Sequence, residues 1–333
     1  MRKTIFAILA AAAMVACSND ELVNADREAI AFDNAFVDNA TRSVVDPSYS
    51  NTNLFADFKV YGYVNGAELF NGGARVAKDI DNDELSSVWK YEFTQYWIEG
   101  GVYDFQAVAP LTDGDWTATA NSKDGMTLTF TNDGVTDLLY AKTATPHTAT
   151  ATGNPDVEFN FKHILSKVRF SFANAYNAHN TKIRVHSITV NNAVETANVV
   201  LRATATTWDA VAAATGMTLN FGAATDNEAS ADKENVDDTF AYGVTRESQN
   251  EHLLIPANYP ADNKLKVTFK YDVVVGGVTI NTFTVNPEVA VNLVPGHAYD
   301  FKATIEPGQP IEFTVTSVDG WVENAEQTIY PAN

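Results

Sequence analysis

The sequence predicts an all-β protein, because three observations agree. From Ile30 onward, apolar and polar residues alternate with a period of two, as in Val157-Glu158-Phe159-Asn160-Phe161, which is typical of strands with one buried face. Turn pairs such as Asn65-Gly66 and Asp113-Gly114 separate these runs and tolerate the positive φ of tight hairpins. No long segment has helical spacing, although the Ala-rich stretch from Asp209 to Met217 could form a short helix. Many short strands with regular turns favour packed β-sandwiches.

The chain begins with the features of a lipoprotein signal. Arg2-Lys3 precedes an apolar run from Ile5 to Val15, and the run ends at the small residue before Cys17, the only cysteine. This run is shorter than the about 20 residues of a membrane span and has the charged start of a secretory signal. We therefore expect that residues 1–16 are removed on export and that Cys17 carries acyl chains, which would hold the protein on a membrane. An ordinary cleaved signal with a chance cysteine is the alternative.

Composition limits the domain count and the partners. The chain has 22 Lys and Arg against 42 Asp and Glu, a formal charge of −20, which repels phosphate backbones and argues against nucleic acid as a partner. A length of 333 residues suggests roughly two domains. The Thr- and Ala-rich stretch from Thr143 to Pro155 is typical of a loop. We place the boundary near residue 165, between domains at 43–165 and 166–333, after an N-terminal segment at 17–42.

Patterns of catalytic residues do not emerge from the sequence. The histidines lack the spacing of a zinc site, and there is no nucleophile elbow or phosphate-binding glycine loop. The run from Asp79 to Glu84 lacks the glycine of a calcium loop and indicates an acidic hairpin. We expect His163 to be hydrogen-bonded at a strand bend, and the aromatic residues from Trp89 to Trp116 to pack in the core rather than stack on sugars. The prediction is a protein that is not an enzyme and has no cofactor or metal. A secreted hydrolase with paired carboxylates is a rival hypothesis.

Several segments, taken in order, resemble the fimbrillin family, which comprises type V pilus subunits and Mfa-like surface lipoproteins. The matching segments after Cys17 are Ile30-Ala31-Phe32, Thr41-Arg42-Ser43, Phe58 to Tyr63, Tyr96-Trp97, Tyr103 to Pro110, Asp137 to Ala141, Val157 to Val168, Val294 to Phe301 and Val318 to Trp321. Their order across nearly the whole mature chain makes the resemblance specific.

The resemblance implies two tandem transthyretin-like β-sandwich domains and a route to assembly. In the family, a lipidated precursor reaches the outer membrane surface, and an arginine-specific protease cuts after the residue that matches Arg42. Ile30 and Phe32 alternate with small or polar residues, so the segment before Arg42 could be a strand that completes the first sandwich. Its removal would expose a groove that recruits a strand from another subunit. The implied partners are other fimbrial subunits, the outer membrane through the acyl chains, and a ligand on a host or bacterial surface.

The C-terminal tail departs from the alternating donor strand that the resemblance implies, because the tail after Trp321 is short and its apolar or β-branched residues, among them Val322, Ala325, Thr328 and Ile329, are interspersed with polar ones. A stalk, tip or anchor subunit of a fimbrium therefore remains open. The alternative is a surface lipoprotein that stays tethered through Cys17 and binds glycans or peptides without polymerising. Cutting after Arg42 separates the two hypotheses, because a tethered protein must retain Cys17.

Overall fold

The computed structural model describes residues 27–37, 57–81, 84–111, 116–178, 180–210, 216–225 and 239–319. All regular secondary structure in these residues is β, which confirms the predicted fold class. No helix among them is long and apolar enough to cross a membrane.

The strands fall into two halves, with β11 and β12 on either side of residue 165. The first half contains β1 (Phe32–Val37), β2 (Asp57–Val64), β3 (Ala67–Glu68), β4 (Ala74–Asp81), β5 (Glu84–Tyr91), β6 (Val102–Ala109), β7 (Trp116–Ser122), β8 (Gly125–Thr131), β9 (Leu139–Lys142), β10 (His147–Thr148) and β11 (Val157–His163). The second half contains β12 (Ser166–Asn174), β13 (Thr181–Ala193), β14 (Thr196–Arg202), β15 (Thr206–Ala210), β16 (Met217–Gly222), β17 (Ala224–Thr225), β18 (Thr239–Ala241), β19 (Thr245–Ser248), β20 (His252–Leu254), β21 (Asn258–Tyr259), β22 (Leu265–Val275), β23 (Val278–Val285), β24 (Glu288–Val289), β25 (Val291–Asn292), β26 (His297–Ile305) and β27 (Phe313–Asp319).

Nine strands of the first half form one sheet, which we call sheet A. Its order is β1-β11-β9-β6-β2-β4-β5, with β10 beside β6 and β3 beside β2. The middle strands β2, β6 and β9 are buried on both faces, and successive residues alternate between two apolar clusters. Val60 and Ala107 point into the cluster that we call the inner core, while Tyr61 and Val108 point into the cluster on the opposite face. Sheet A therefore has apolar side chains on both faces, and the inner core is lined by its own strands.

A four-stranded sheet, sheet B, covers the second face of sheet A and joins the two halves. Its order is β15-β14-β8-β7, so the hairpin β14–β15 from the second half pairs with β8 from the first. The alternating side chains of Leu128 and Val199 complete the apolar cluster between sheets A and B. The Trp208 indole N–H donates to the Ile164 carbonyl at 2.8 Å. The boundary near residue 165 stays a prediction, and strand pairing crosses it.

The second half forms a sandwich of two six-stranded sheets. One has the order β17-β19-β12-β26-β27 with β20 beside β12, and the other has the order β16-β13-β22-β23 with β18 beside β13 and β24 beside β22. The short strands β21 and β25 form a separate two-stranded sheet, and Tyr259 of β21 belongs to the core of the sandwich. Phe172 of the first sheet meets Phe269 of the second, with ring centroids 4.9 Å apart. Gly276 and Gly277 turn the predicted β22–β23 hairpin with φ of 59° and 83°, which confirms it.

Two local expectations have different outcomes. Asp81 of β4 pairs with Glu84 of β5, and the antiparallel pairing of these two strands confirms the predicted hairpin. The stretch expected to allow a short helix begins and ends in strands instead, because Asp209 belongs to β15 and Met217 begins β16. Asp209 pairs with Asn198, and this ladder extends β15 to Ala210. Residues 211–215 lie outside the described residues.

Candidate assembly site at the N-terminal segment

The segment Arg27–Val37, which we call the N-terminal segment, pairs on one side with the loop before β6. The Ile30 N–H donates to the Gln95 carbonyl at 2.8 Å, and the Trp97 N–H donates to the Glu28 carbonyl at 2.9 Å. These two bonds flank an antiparallel bridge between Ala29 and Tyr96. The loop therefore holds the beginning of the segment through main-chain contacts.

The rest of the N-terminal segment pairs with β11. The Val157 N–H donates to the Ala31 carbonyl at 2.8 Å, and β1 then runs parallel to β11 from Phe32 beside Val157 to Val37 beside Phe161. β9 pairs with β11 only at Lys162 and His163. Among the described strands, β1 is thus the partner of β11 along Val157–Phe161, and it ends sheet A.

Phe32 inserts into the inner core among five aromatic rings. Its side chain is 5% exposed. The ring centroids lie between 5.2 and 6.5 Å from those of Phe58, Phe70, Tyr91, Phe105 and Phe159. Four of these five rings belong to four different strands of sheet A, namely β2, β5, β6 and β11. One side chain of the N-terminal segment therefore fills the centre of the cluster. Close aromatic pairs add about 0.5–1.5 kcal/mol beyond buried area.

Ile30 is the second anchor, and the alternation in the sequence explains its position. Ile30 is buried, the following Ala31 is exposed, and Phe32 is buried again, as expected of extended chain. The Tyr91 hydroxyl donates to the Ile30 carbonyl at 2.8 Å, and burial raises the pKa of this phenol. Because Tyr91 ends β5, the two ends of the strand order in sheet A meet around the N-terminal segment.

A charged contact fixes the start of the segment. The Asn154 backbone N–H and its side-chain amide both donate to one Glu28 carboxylate oxygen, at 2.7 and 2.8 Å. These bonds from Asn154 hold the pKa of Glu28 below its usual range, since hydrogen bonds to the ionised form favour it. The ionised carboxylate is therefore the form that secures the segment.

Of the residues predicted from sequence, Ile30 and Phe32 come together at this site, while Cys17 and Arg42 lie outside the described residues. His163 lies at the end of β11, with its Nδ1 2.6 Å from an Asp137 carboxylate oxygen, which confirms the hydrogen-bonded strand-end histidine. Trp89 and Trp97 are buried in the inner core, as expected of packing residues. In the part of the chain that the structure describes, no three His, Cys, Asp or Glu side chains cluster closely enough to hold a metal ion.

Sequence reasoning missed the residues that receive the N-terminal segment. Tyr91, Gln95 and Asn154 are far from it in the sequence, and their contacts use backbone groups or single hydroxyl and amide groups. No local pattern marks such a role. The one available signal was the Asn154-Pro155 pair, which is typical of a turn and indicates an exposed backbone rather than a binding contact.

Comparison with known proteins identifies the family. The family model for fimbrillin-like proteins matches residues 41–321, and the chain belongs to this family, as the resemblance predicted. The fold is shared with a solved fimbrial protein from Bacteroides vulgatus, at 19% identity and a TM-score of 0.58, covering 88% of this chain and 99% of that one. Weaker similarity extends to a proposed cell adhesion protein from Bacteroides uniformis, at 16% identity and a TM-score of 0.47, covering 88% and 97% of the two chains. The fimbrial anchor protein Mfa2 from Porphyromonas gingivalis is 12% identical with a TM-score of 0.39, covering 89% and 98%. No curated protein matches the chain.

Membership in this family makes the protein a fimbrial subunit of the cell surface that interacts with other fimbrial subunits. The region that the family model covers begins at Thr41, immediately before Arg42. The N-terminal segment, residues 27–37, lies before this region.

Proposed function

We propose that the protein is a fimbrial subunit that is exported as a lipoprotein acylated at Cys17, held on the outer membrane, and assembled after proteolysis at Arg42. In this proposal, cutting separates the N-terminal segment from the rest of the chain. A strand from a neighbouring subunit then takes the place of β1. No enzymatic activity is required.

The observation that carries the proposal is the position of Phe32. This side chain belongs to a segment upstream of Arg42, yet it fills the centre of the inner core. Loss of the segment would remove about 3–5 kcal/mol of aromatic packing at this position alone. It would also remove the strand beside Val157–Phe161. A precursor built in this way is stable as a monomer and gains strongly from a replacement strand after cutting.

A replacement strand would have two requirements. Its main chain must pair with β11 and with the Gln95–Trp97 loop, and its side chains must alternate so that two of them occupy the positions of Ile30 and Phe32. Strand addition supplies affinity through the main chain and specificity through such alternate side chains. An incomplete sheet edge of this kind is a site for pairing with another chain.

A second candidate function is a tethered lipoprotein that binds glycans or peptides and never polymerises. The close packing of Ile30 and Phe32, which holds the N-terminal segment in the first half of the chain, favours it. In that case Cys17 and the N-terminal segment remain part of the mature protein. Adhesion to a host or bacterial surface is compatible with either candidate.

The decisive experiment compares the wild-type chain with Arg42→Ala, before and after treatment with an arginine-specific protease. We expect the treated wild-type protein to form oligomers that resist dissociation, and Arg42→Ala to stay monomeric and folded. Arg202→Ala, at an exposed arginine in sheet B, is the matched control and should behave as wild type. Intact precursor that polymerises as readily as cut protein would refute strand replacement. Cut protein that stays monomeric at high concentration would favour the tethered lipoprotein.

A further inference from the structure

We propose that the free edge of β23 is an interaction surface on which two copies of this chain pair strand to strand and form a two-fold symmetric dimer. β23 ends the sheet of order β16-β13-β22-β23, and among the described strands only β22 pairs with it. Most of its residues are exposed, including Val278 at 66% and Ile280 at 62%. Its outer side therefore presents unpaired main-chain groups, which are a template for pairing with another chain.

The edge of β23 lacks most of the features that prevent strand pairing. Natural sheets protect their exposed edges with lysine and other charged residues, with proline, or with bulges. Residues 273–287 contain no Asp, Glu, Lys, Arg or His, and their single proline is the last residue, Pro287. The ladder between β22 and β23 has one bulge, at Ile280. The part of the edge from Asn281 to Val285 is therefore regular, uncharged and open.

Side-chain contacts hold β23 against β22 on both faces of the sheet. On the outer face, the buried Asp272 carboxylate accepts hydrogen bonds from the Thr282 hydroxyl at 2.6 Å and from the Thr279 hydroxyl at 3.3 Å. On the core face, Phe283 stacks on Tyr271, with ring centroids 5.1 Å apart. An edge that is already held in place loses little freedom when a second strand pairs with it, which lowers the cost of association.

A two-fold axis through Phe283, the middle residue of the regular part, defines the register of the dimer. Two antiparallel copies related by this axis place Phe283 opposite Phe283 of the second copy. Thr282 then lies opposite Thr284, and Asn281 lies opposite Val285. Aromatic pairs and threonine pairs at directly opposite positions stabilise antiparallel strands. Phe283 is half-buried, so the second ring would cover its open side and extend the aromatic stack.

The charge distribution favours a second copy as the occupant of this edge. The chain carries a formal charge of −20, so two copies repel wherever their charged surfaces meet. At β23 an uncharged strand meets an uncharged strand, and self-pairing brings no like charges into contact. The repulsion that remains is long-range and is screened by salt. The dimer should therefore become stronger as ionic strength rises, whereas an interface held by ion pairs would become weaker.

This inference goes beyond the proposed function, which concerns the N-terminal segment and the first half of the chain. β23 lies in the second half, and its edge is open without any cleavage. The experiment therefore uses the uncut full chain with Arg42→Ala, which prevents cutting at this residue, and with Cys17→Ser, which removes the only thiol. In this parent chain, dimerisation through β23 and strand replacement at β1 can fail independently of each other.

Sedimentation velocity measures the monomer–dimer equilibrium of this parent chain. We expect a dimer whose dissociation constant falls when salt is raised from about 0.01 M to about 0.15 M. Thr284→Asp should raise the dissociation constant about tenfold or more, because each copy adds a carboxylate to the paired edge. Thr314→Asp on β27, the strand that ends the other sheet, is the matched control and should dimerise like the parent chain. Both threonines are exposed and lie opposite a lysine of the neighbouring strand, Lys270 for Thr284 and Lys302 for Thr314.

Cysteine cross-linking tests the register and does not depend on the charge variants. Asn281→Cys and Val285→Cys are made separately in the parent chain, and the two proteins are mixed and oxidised. The mixture should form a disulfide-linked dimer, because these positions lie directly opposite each other. Each protein alone should not cross-link, because equivalent positions of the two copies lie about 13 Å apart along the strands.

Three results would each overturn the proposal. The first is a parent chain that stays monomeric at all concentrations up to about 1 mM, which would leave the edge to a segment of a different protein. The second is a Thr284→Asp protein that dimerises as strongly as the parent chain. The third is a mixture of the two cysteine variants that does not cross-link. An amide spectrum like that of the parent chain would show that each variant is folded.

Discussion

Replacing Phe32 by alanine isolates the energy with which the N-terminal segment is held. Phe32 is 5% exposed and lies among five aromatic rings, the nearest with its centroid 5.2 Å away. Truncation of a buried phenylalanine costs about 3–5 kcal/mol, and we expect the upper part of this range because several aromatic pairs are lost together. A domain of ordinary stability, about 5–15 kcal/mol, would survive the change.

The effect should appear in two measurements. Urea denaturation should show a lower midpoint with an unchanged slope, since the surface exposed on unfolding hardly changes. Hydrogen exchange should show faster exchange of the Val157 N–H, which donates to Ala31 in the N-terminal segment, if the segment detaches before the rest of the fold opens. Local opening of this kind has its own free energy, below that of global unfolding.

Phe93→Ala is the matched control, because it makes the same chemical change at a residue that is 84% exposed. We expect this variant to lie within about 0.5 kcal/mol of wild type. Phe32→Leu should fall between the two alanine variants, since it retains part of the buried volume. Equal stability of Phe32→Ala and Phe93→Ala would refute the conclusion that Phe32 anchors the segment.

Three further predictions concern titration and the membrane anchor. Burial raises the pKa of Tyr61, which is 1% exposed, to about 12. A raised phenol pKa lowers the free energy of unfolding as the pH rises from the unfolded pKa near 10, so stability should fall by roughly 2–3 kcal/mol between about pH 10 and 12. Alkaline denaturation of Tyr61→Phe should show a smaller fall. The hydrogen bonds from Asn154 lower the pKa of Glu28. Protection of the Val157 amide against hydrogen exchange should therefore be fully present above about pH 4.5 and lost as the pH falls through the lowered pKa, and Glu28→Gln should remove this pH dependence. Protection that does not change with pH in the wild type would contradict the prediction. Cys17→Ser should move the protein out of the membrane fraction, and a variant that stays there with its signal removed would refute acylation at this residue.

The fold class was predictable because it depends on local patterns. Alternation such as that of Val157–Phe161 reports a strand with one buried face, and the Gly276-Gly277 pair reports a tight turn; both are correct in the structure. The pairing of strands was not predictable in the same way. The β14–β15 hairpin looks like any other in sequence, and only tertiary packing decides that it joins β8 rather than a neighbour in the second half.

The sequence predicted the residues that the N-terminal segment contributes to the candidate site, but not the residues that receive it. Ile30 and Phe32 are apolar residues two apart, so their shared face follows from the geometry of extended chain. Nothing in the sequence indicates that this strand pairs in parallel with β11, because the paired residues, such as Phe32 and Val157, are about 125 positions apart in the chain. Backbone acceptors such as the Gln95 carbonyl carry no signal of residue type.

The contacts of the N-terminal segment also explain how a strand could be both firmly held and replaceable. Its anchoring side chains, Ile30 and Phe32, lie near its beginning, and its polar contacts with Gln95, Trp97 and Asn154 are concentrated there as well. The remainder of β1 adds main-chain pairing with β11, which any extended chain can supply. A competing strand could therefore begin to pair at the far end of β11, near Phe161, and displace β1 toward Phe32 before the aromatic anchor is lost. Strand replacement by this route avoids exposing the whole inner core at once, and it predicts that Phe32→Ala accelerates replacement in cut protein while Phe93→Ala does not.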